Sequence, residues 1–139
     1  VYNKFLKNSP FPVIKGENQA LLSVSDALIL ASGTVALEAC LYQTPMIIAY
    51  RGPWLFYLIY LVVRCIKRVS LPNIIADKSI VPEIIQGDVN VSKISYEIEK
   101  LLFDKEYRAQ NIKDLGEVKA LLSDKVSSEE VAKVINNIL

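Results

Sequence analysis

Ser32, Gly33 and Thr34 lie between an apolar run, Ala27–Ala31, and a segment of helical composition, Val35–Tyr42. Small residues at such a junction let a ligand approach the backbone closely. A helix starting near Thr34 would offer free N–H groups and the positive end of its dipole, an arrangement suited to a diphosphate. The Ser32 and Thr34 hydroxyls can add donors. Glu38 falls about one turn further on, too far along to cap the helix, where a carboxylate can accept hydrogen bonds from ribose hydroxyls. Taken alone, the same residues also read as an ordinary capped turn. They do not form a Walker motif, because the long glycine loop and its lysine are missing.

The elements that must position these residues alternate short β-type runs with helical ones. The segment PFPVIK (residues 10–15) is a strand candidate ended by Gly16, and Glu17–Ser25 reads as a helix with Ala20, Leu21 and Val24 inward. Ala27–Ala31 is continuously apolar, as in a strand buried on both faces of a parallel sheet. After the helix, Pro45 leads into a second strand, MIIAY, giving a βαβ unit with an expected right-handed crossover. Val69–Asn73 is expected as a further short strand, and Ser79–Gln86 as a short helix ended by Gly87. Asn90 can cap the next helix, whose inward face is marked by Val91, Ile94, Ile98, Leu101 and Leu102. Tyr107, Leu115, Val118 and Leu122 continue at helical spacing, and Ser127 with Glu130 forms a capping box for a last helix. The first half thus reads as α/β and the tail as helical, packed on the sheet or on a partner.

Composition narrows the function classes. The chain has 139 residues, 52% of them hydrophobic and 22% charged, enough apolar material for one folded domain. A net charge of +1 gives nucleic-acid binding no support. There is no histidine, which excludes a histidine base, a histidine metal ligand and a Ser-His-Asp triad within this chain. Proton transfer then falls to carboxylates or to another domain. Cys40 and Cys65 lie in helical segments without CxxC spacing and read as buried thiols in a reducing compartment. The start at Val1 does not read as a signal peptide, and a partial sequence is the simplest expectation. The apolar core of the stretch from Pro53 to Arg68, about eleven residues, falls well short of the ~20 that span a bilayer, and the stretch reads as a buried or interfacial helix.

Five pieces in order resemble one family: Ala31-Ser-Gly-Thr-Val-Ala-Leu-Glu38, Thr44-Pro-Met46, Ala49-Tyr-Arg51, Val69-Ser-Leu-Pro-Asn73 and Val81-Pro-Glu-Ile-Ile-Gln86. Together they are similar to the C-terminal part of the lipid-A-disaccharide synthases. The resemblance implies a Rossmann-like parallel sheet with flanking helices, the C-terminal half of a GT-B glycosyltransferase, with a helical tail. On that reading residues 1–139 form one UDP-sugar-binding domain, with the N-terminal acceptor domain outside the chain. It implies transfer of 2,3-diacylglucosamine from UDP-2,3-diacylglucosamine to lipid X, giving the lipid A disaccharide 1-phosphate and UDP, with neither cofactor nor metal. Ser32, Gly33 and Thr34 would meet the diphosphate and Glu38 the ribose. Arg51 and Asn73 would lie in or near the active cleft, Arg51 stabilising the charge of the leaving UDP. A solvated strand-end cation and a turn anchor after Pro72 are their structural alternatives.

The sequence departs from the family pattern where Asp77 replaces a small residue in a glycine-containing turn, leaving Lys78 to carry the nearby positive charge. The resemblance further implies a cytoplasmic enzyme, peripheral at the inner membrane. The 53–68 segment, with Trp54, Phe56, Tyr57 and Tyr60 followed by Arg64, Lys67 and Arg68, suits contact with a membrane surface. Core packing or a homodimer interface is the competing reading of that segment. The rival functions are another GT-B UDP-sugar enzyme, of the peptidoglycan N-acetylglucosaminyltransferase or UDP-sugar 2-epimerase type, and a non-catalytic packing or membrane-contact module.

Overall fold

A computed structural model describes residues 10–31, 33–53, 68–123 and 135–136. Among these, helix α1 (Asn18–Val24) precedes strand β1 (Leu28–Leu30), helix α2 (Val35–Tyr42) and strand β2 (Met46–Tyr50). Helix α3 (Leu71–Ile75) and strand β3 (Glu83–Ile85) follow, then a 3-10 turn over Gln86–Asp88 and helices α4 (Val91–Phe103) and α5 (Lys105–Ser123). The strands form a parallel sheet in the order β1-β2-β3, with Leu30 opposite Ile48 and Tyr50 opposite Ile85. This is the α/β arrangement with a helical tail expected from the sequence.

Alternation along β2 divides the core into two layers, because successive strand side chains point to opposite faces. Met46 and Ile48 face Leu22 of α1, Ala36, Ala39 and Cys40 of α2, and Leu115 and Val118 of α5. Ile47 faces the other way, onto Ile84 and Leu101 of α4. Met46, Ile47 and Ile48 are fully buried, and each such side chain contributes about 1.5–3 kcal/mol by leaving water. The tail is therefore part of the core: Leu115 and Val118 sit inside it, with Leu122 packed alongside. Burial pushes the Cys40 thiol up to about 12, so it stays protonated and inert. Cys65 and the Ser127–Glu130 capping box lie outside the described residues.

Several local expectations are corrected. Residues 10–15 form no strand: Pro10 and Pro12 supply no N–H, and Phe11, Val13 and Ile14 remain exposed. In α1 the inward residue is Leu22, whereas Val24 and Ala20 face solvent. β1 is an edge strand and not buried on both faces. Ile29, level with Ile47, is 55% exposed because α4 packs over Ile47 and Ile84. Val69–Asn73 is not a strand: Ser70 occupies the N-cap position of α3, without a side-chain capping bond, and Pro72 lies in its first turn, where a missing N–H costs nothing. Residues 83–85 form β3 and not a helix, since pairing to Ala49 and Tyr50 overrides local preference. Asn90 does cap α4, its Oδ1 accepting from the Lys93 amide at 3.0 Å. Ile94, Ile98 and Leu101 face inward, but Val91 and Leu102 do not.

Candidate functional site

All three strands are parallel, so their carboxyl ends share one edge of the sheet. That edge carries the turn after β1, Arg51 after β2, and Gln86 after β3. Ligands of open parallel sheets bind at this edge, because helix N-termini gather there.

The turn leads directly into α2. Its first hydrogen bonds run from Ala36 N to Gly33 O at 3.3 Å, Leu37 N to Thr34 O at 2.9 Å and Glu38 N to Thr34 O at 3.2 Å. Among the described residues no acceptor meets the amides of Gly33, Thr34 or Val35. Thr34 occupies the N-cap position, yet its hydroxyl makes no capping bond. No described residue therefore uses the donors at this end of α2. Among the described residues, a Cβ added at Gly33 would meet nothing within 4 Å. Ser32 lies outside the described residues.

Glu38 is exposed, four residues after Thr34, so both project from the same side of α2. Its carboxylate has no partner among the described residues. Arg51 is likewise exposed and continues β2 beyond Tyr50. Adjacent strands lie ~4.8 Å apart, so the end of β2 borders the turn that follows β1. Gly52 lets the Tyr50 ring fold over this end, since a Cβ there would come within 3.0 Å of Tyr50 Cε1. The structure thus brings Gly33, Thr34, Glu38 and Arg51 to one edge.

Asn73 is placed differently. It is 1% exposed, and its amide is fully used inside the fold. Oδ1 accepts from Ile80 N at 2.8 Å and Val81 N at 2.9 Å. Nδ2 donates to Val81 O at 2.8 Å and Glu83 Oε1 at 2.7 Å. Glu83 also accepts from the Val69 and Ser70 amides and, at 2.6 Å, from the Ser70 hydroxyl. Asn73 and Glu83 together bolt the segment around α3 to the start of β3. Glu83 belongs to the last of the five family-like pieces, but its spacing does not announce its partners, which lie 10–14 residues away.

The turn after α3 resolves the departure at Asp77. Asp77 adopts a left-handed backbone, φ 47, where glycine is favoured and aspartate tolerated. Its carboxylate and carbonyl both accept from Arg68. Lys78 does not reach the carboxyl edge: its ammonium bonds Asp114 Oδ1 at 2.8 Å, which raises its pKa. Among the described residues no cluster of acidic and cysteine side chains could hold a metal ion.

Comparison with known proteins follows this geometry. A family model described as lipid-A-disaccharide synthetase matches residues 2–138. A lipid-A-disaccharide synthase of Anaeromyxobacter dehalogenans is 35% identical over 127 residues, 91% of this chain and 33% of the relative. The synthase of Psychromonas ingrahamii is 35% identical over 135 residues, 96% of this chain and 35% of the relative. That of Hydrogenovibrio crunogenus is 41% identical over 102 residues, 73% of this chain and 27% of the relative. The chain thus spans about a third of the length of such curated relatives.

Proposed function

Because the chain belongs to the lipid-A-disaccharide synthase family, we propose that it supplies the UDP-binding part of a glycosyltransferase of lipid A biosynthesis. Its sugar donor is UDP-2,3-diacylglucosamine and its acceptor lipid X. The observation that carries this reading is the edge where α2 begins: unengaged amides at Gly33, Thr34 and Val35 beside Arg51, with Glu38 one turn away. Oriented N–H dipoles and a guanidinium both stabilise a diphosphate, and more so as it departs with additional charge. Gly33, which carries no Cβ, suits close approach of that diphosphate. Ser32 continues the same turn in the sequence, and Glu38 accepts the ribose hydroxyls. Asn73 acts here as a positioning residue, through Glu83 and the loop it holds. The acceptor and its base belong to parts of the protein beyond this segment.

An NMR titration with UDP tests the reading. Saturable shifts are expected at the amides of Ser32, Gly33, Thr34, Val35 and Glu38. Glu38→Ala should weaken UDP by about three- to tenfold, the worth of roughly 0.5–1.5 kcal/mol for a net hydrogen bond. A 2′,3′-dideoxyribose analogue should lose almost nothing. Unmoved amides in a folded sample would remove the site, and equal losses for both ligands would remove the ribose role.

The reading extends to the membrane, where both lipid substrates reside. No helix among the described residues is long and apolar enough to cross a bilayer. The 53–68 segment lies outside them apart from its two ends, Pro53 and Arg68, and its order of aromatic then basic residues fits surface contact. Trp54→Ser with Phe56→Ser should lower co-sedimentation with anionic vesicles at every salt concentration. Arg64→Gln with Lys67→Gln should lower it mainly at low salt, because exposed charges are screened beyond about 10 Å at 0.1 M. Arg68 is left intact, since it pairs with Asp77. Unchanged sedimentation for both pairs would return the segment to core or homodimer packing.

A further inference from the structure

A cavity of about 540 Å³ opens between residues 78–83, α4 and the first half of α5. It lies where β3 begins, whereas the UDP edge lies where the strands end. Its wall carries three acidic residues, Glu83, Glu97 and Asp114, together with Lys78, Gln110 and Asn111.

The unused hydrogen-bonding capacity of this wall consists mainly of acceptors. Asp114, with 7% of its side chain exposed, receives both Lys78 Nζ at 2.8 Å and Gln110 Nε2 at 2.9 Å on Oδ1. No donor among the described residues reaches its Oδ2. Asn111 is 4% exposed and donates through Nδ2 to Ile80 O at 2.7 Å. Its buried Oδ1 has no donor. Asn111 and Asp114 are three residues apart and share a face of α5. On the facing helix α4, Glu97 Oε2 takes the Tyr107 hydroxyl at 3.1 Å and Lys100 at 3.5 Å. Lys78 stands at the mouth, its side chain 57% exposed, and can swing away from Asp114 toward solvent. A buried acceptor without a donor, as at Asn111 Oδ1, is unfavourable by about 1–3 kcal/mol, and a carboxylate held in a low-dielectric wall attracts a cation strongly.

We propose that this cavity is a second binding site, for a small protonated organic amine whose ammonium donates to Asp114 and the acceptors beside it. The ligand takes over the role that Lys78 plays beside Asp114. Its volume falls within the ~300–1,000 Å³ range of small-molecule pockets.

The probe is putrescine, titrated into the chain by NMR, with a neutral diol of the same chain length as control. Putrescine is expected to give saturable shifts at the amides of residues 78–81 and 107–114, leaving Gly33 and Thr34 unmoved. The diol should give none. Asp114→Asn should weaken putrescine by about tenfold or more, since a hydrogen bond to a charged group is worth roughly 1.5–3 kcal/mol. Should that variant fail to fold, Glu97→Gln, on the opposite wall, is read instead and should weaken putrescine by about threefold from the lost attraction alone. Equal binding of the diol, shifts spread without saturation over surface carboxylates, or affinity unaltered by the substitution would each overturn the site. None of these results bears on UDP, which binds at the other edge of the sheet.

Discussion

Asn73→Ala is expected to destabilise the fold by about 3–5 kcal/mol, a large share of the roughly 5–15 kcal/mol that holds a domain together. The substitution deletes four hydrogen bonds at a site 1% exposed. Ile80 N retains a second acceptor, the Lys78 carbonyl at 3.1 Å. Val81 N and Val81 O lose the partners that Asn73 supplied, and the Glu83 carboxylate loses one of its donors. Orphaned buried groups carry their full desolvation cost. The loop between α3 and β3 is then no longer tied to the sheet. Urea unfolding measures the effect as a lower midpoint at unchanged slope. Asn73→Asp should not rescue: it keeps the acceptor for Ile80 and Val81 but sets a second carboxylate against Glu83. A loss below about 1 kcal/mol for the alanine variant would show that the bonds to Asn73 are replaceable.

Arg51→Ala should do the opposite, leaving the fold within about 0.5 kcal/mol while lowering the transfer rate by about 100-fold or more. Arg51 is exposed, and its side chain has no partner among the described residues. Its removal therefore leaves nothing buried and unpaired. Its proposed work is on the leaving diphosphate, whose charge grows in the transition state, so kcat should fall much more than KM rises. Arg51→Lys should recover only part of the loss, because an ammonium cannot match the bidentate geometry of a guanidinium on phosphate. The assay belongs in an enzyme of full family length that carries this segment. Activity within about threefold of the unsubstituted enzyme would remove Arg51 from the diphosphate site. The two variants thus separate Asn73, whose side chain is tied into the fold, from Arg51, whose proposed work is on the diphosphate.

What the sequence determined by itself was local in origin. Ala27–Ala31, the small-residue turn, Val35–Tyr42 and Met46–Tyr50 follow one another in a stretch short enough for composition to specify each element. The βαβ order then puts the turn at the carboxyl edge. Asn90 announced the start of α4 because a cap acts within three residues, and the spacing of Leu115 and Val118 announced their burial. The family motifs likewise reside in contiguous residues, so the family was legible before the shape.

Only tertiary structure decided the remainder. Residues 83–85 became a strand because Ala49 and Tyr50 offered a pairing edge more than thirty residues away. Ile29 stayed exposed because α4 packs on Ile47 and Ile84. Asn73 turned inward, Glu83 became its anchor and Lys78 was drawn to Asp114, 36 residues distant. The physical reason is the same in each case. A side chain's local neighbours fix its backbone preference, but its burial, charge partner and hydrogen bonds depend on segments that only the folded chain brings within ~3 Å.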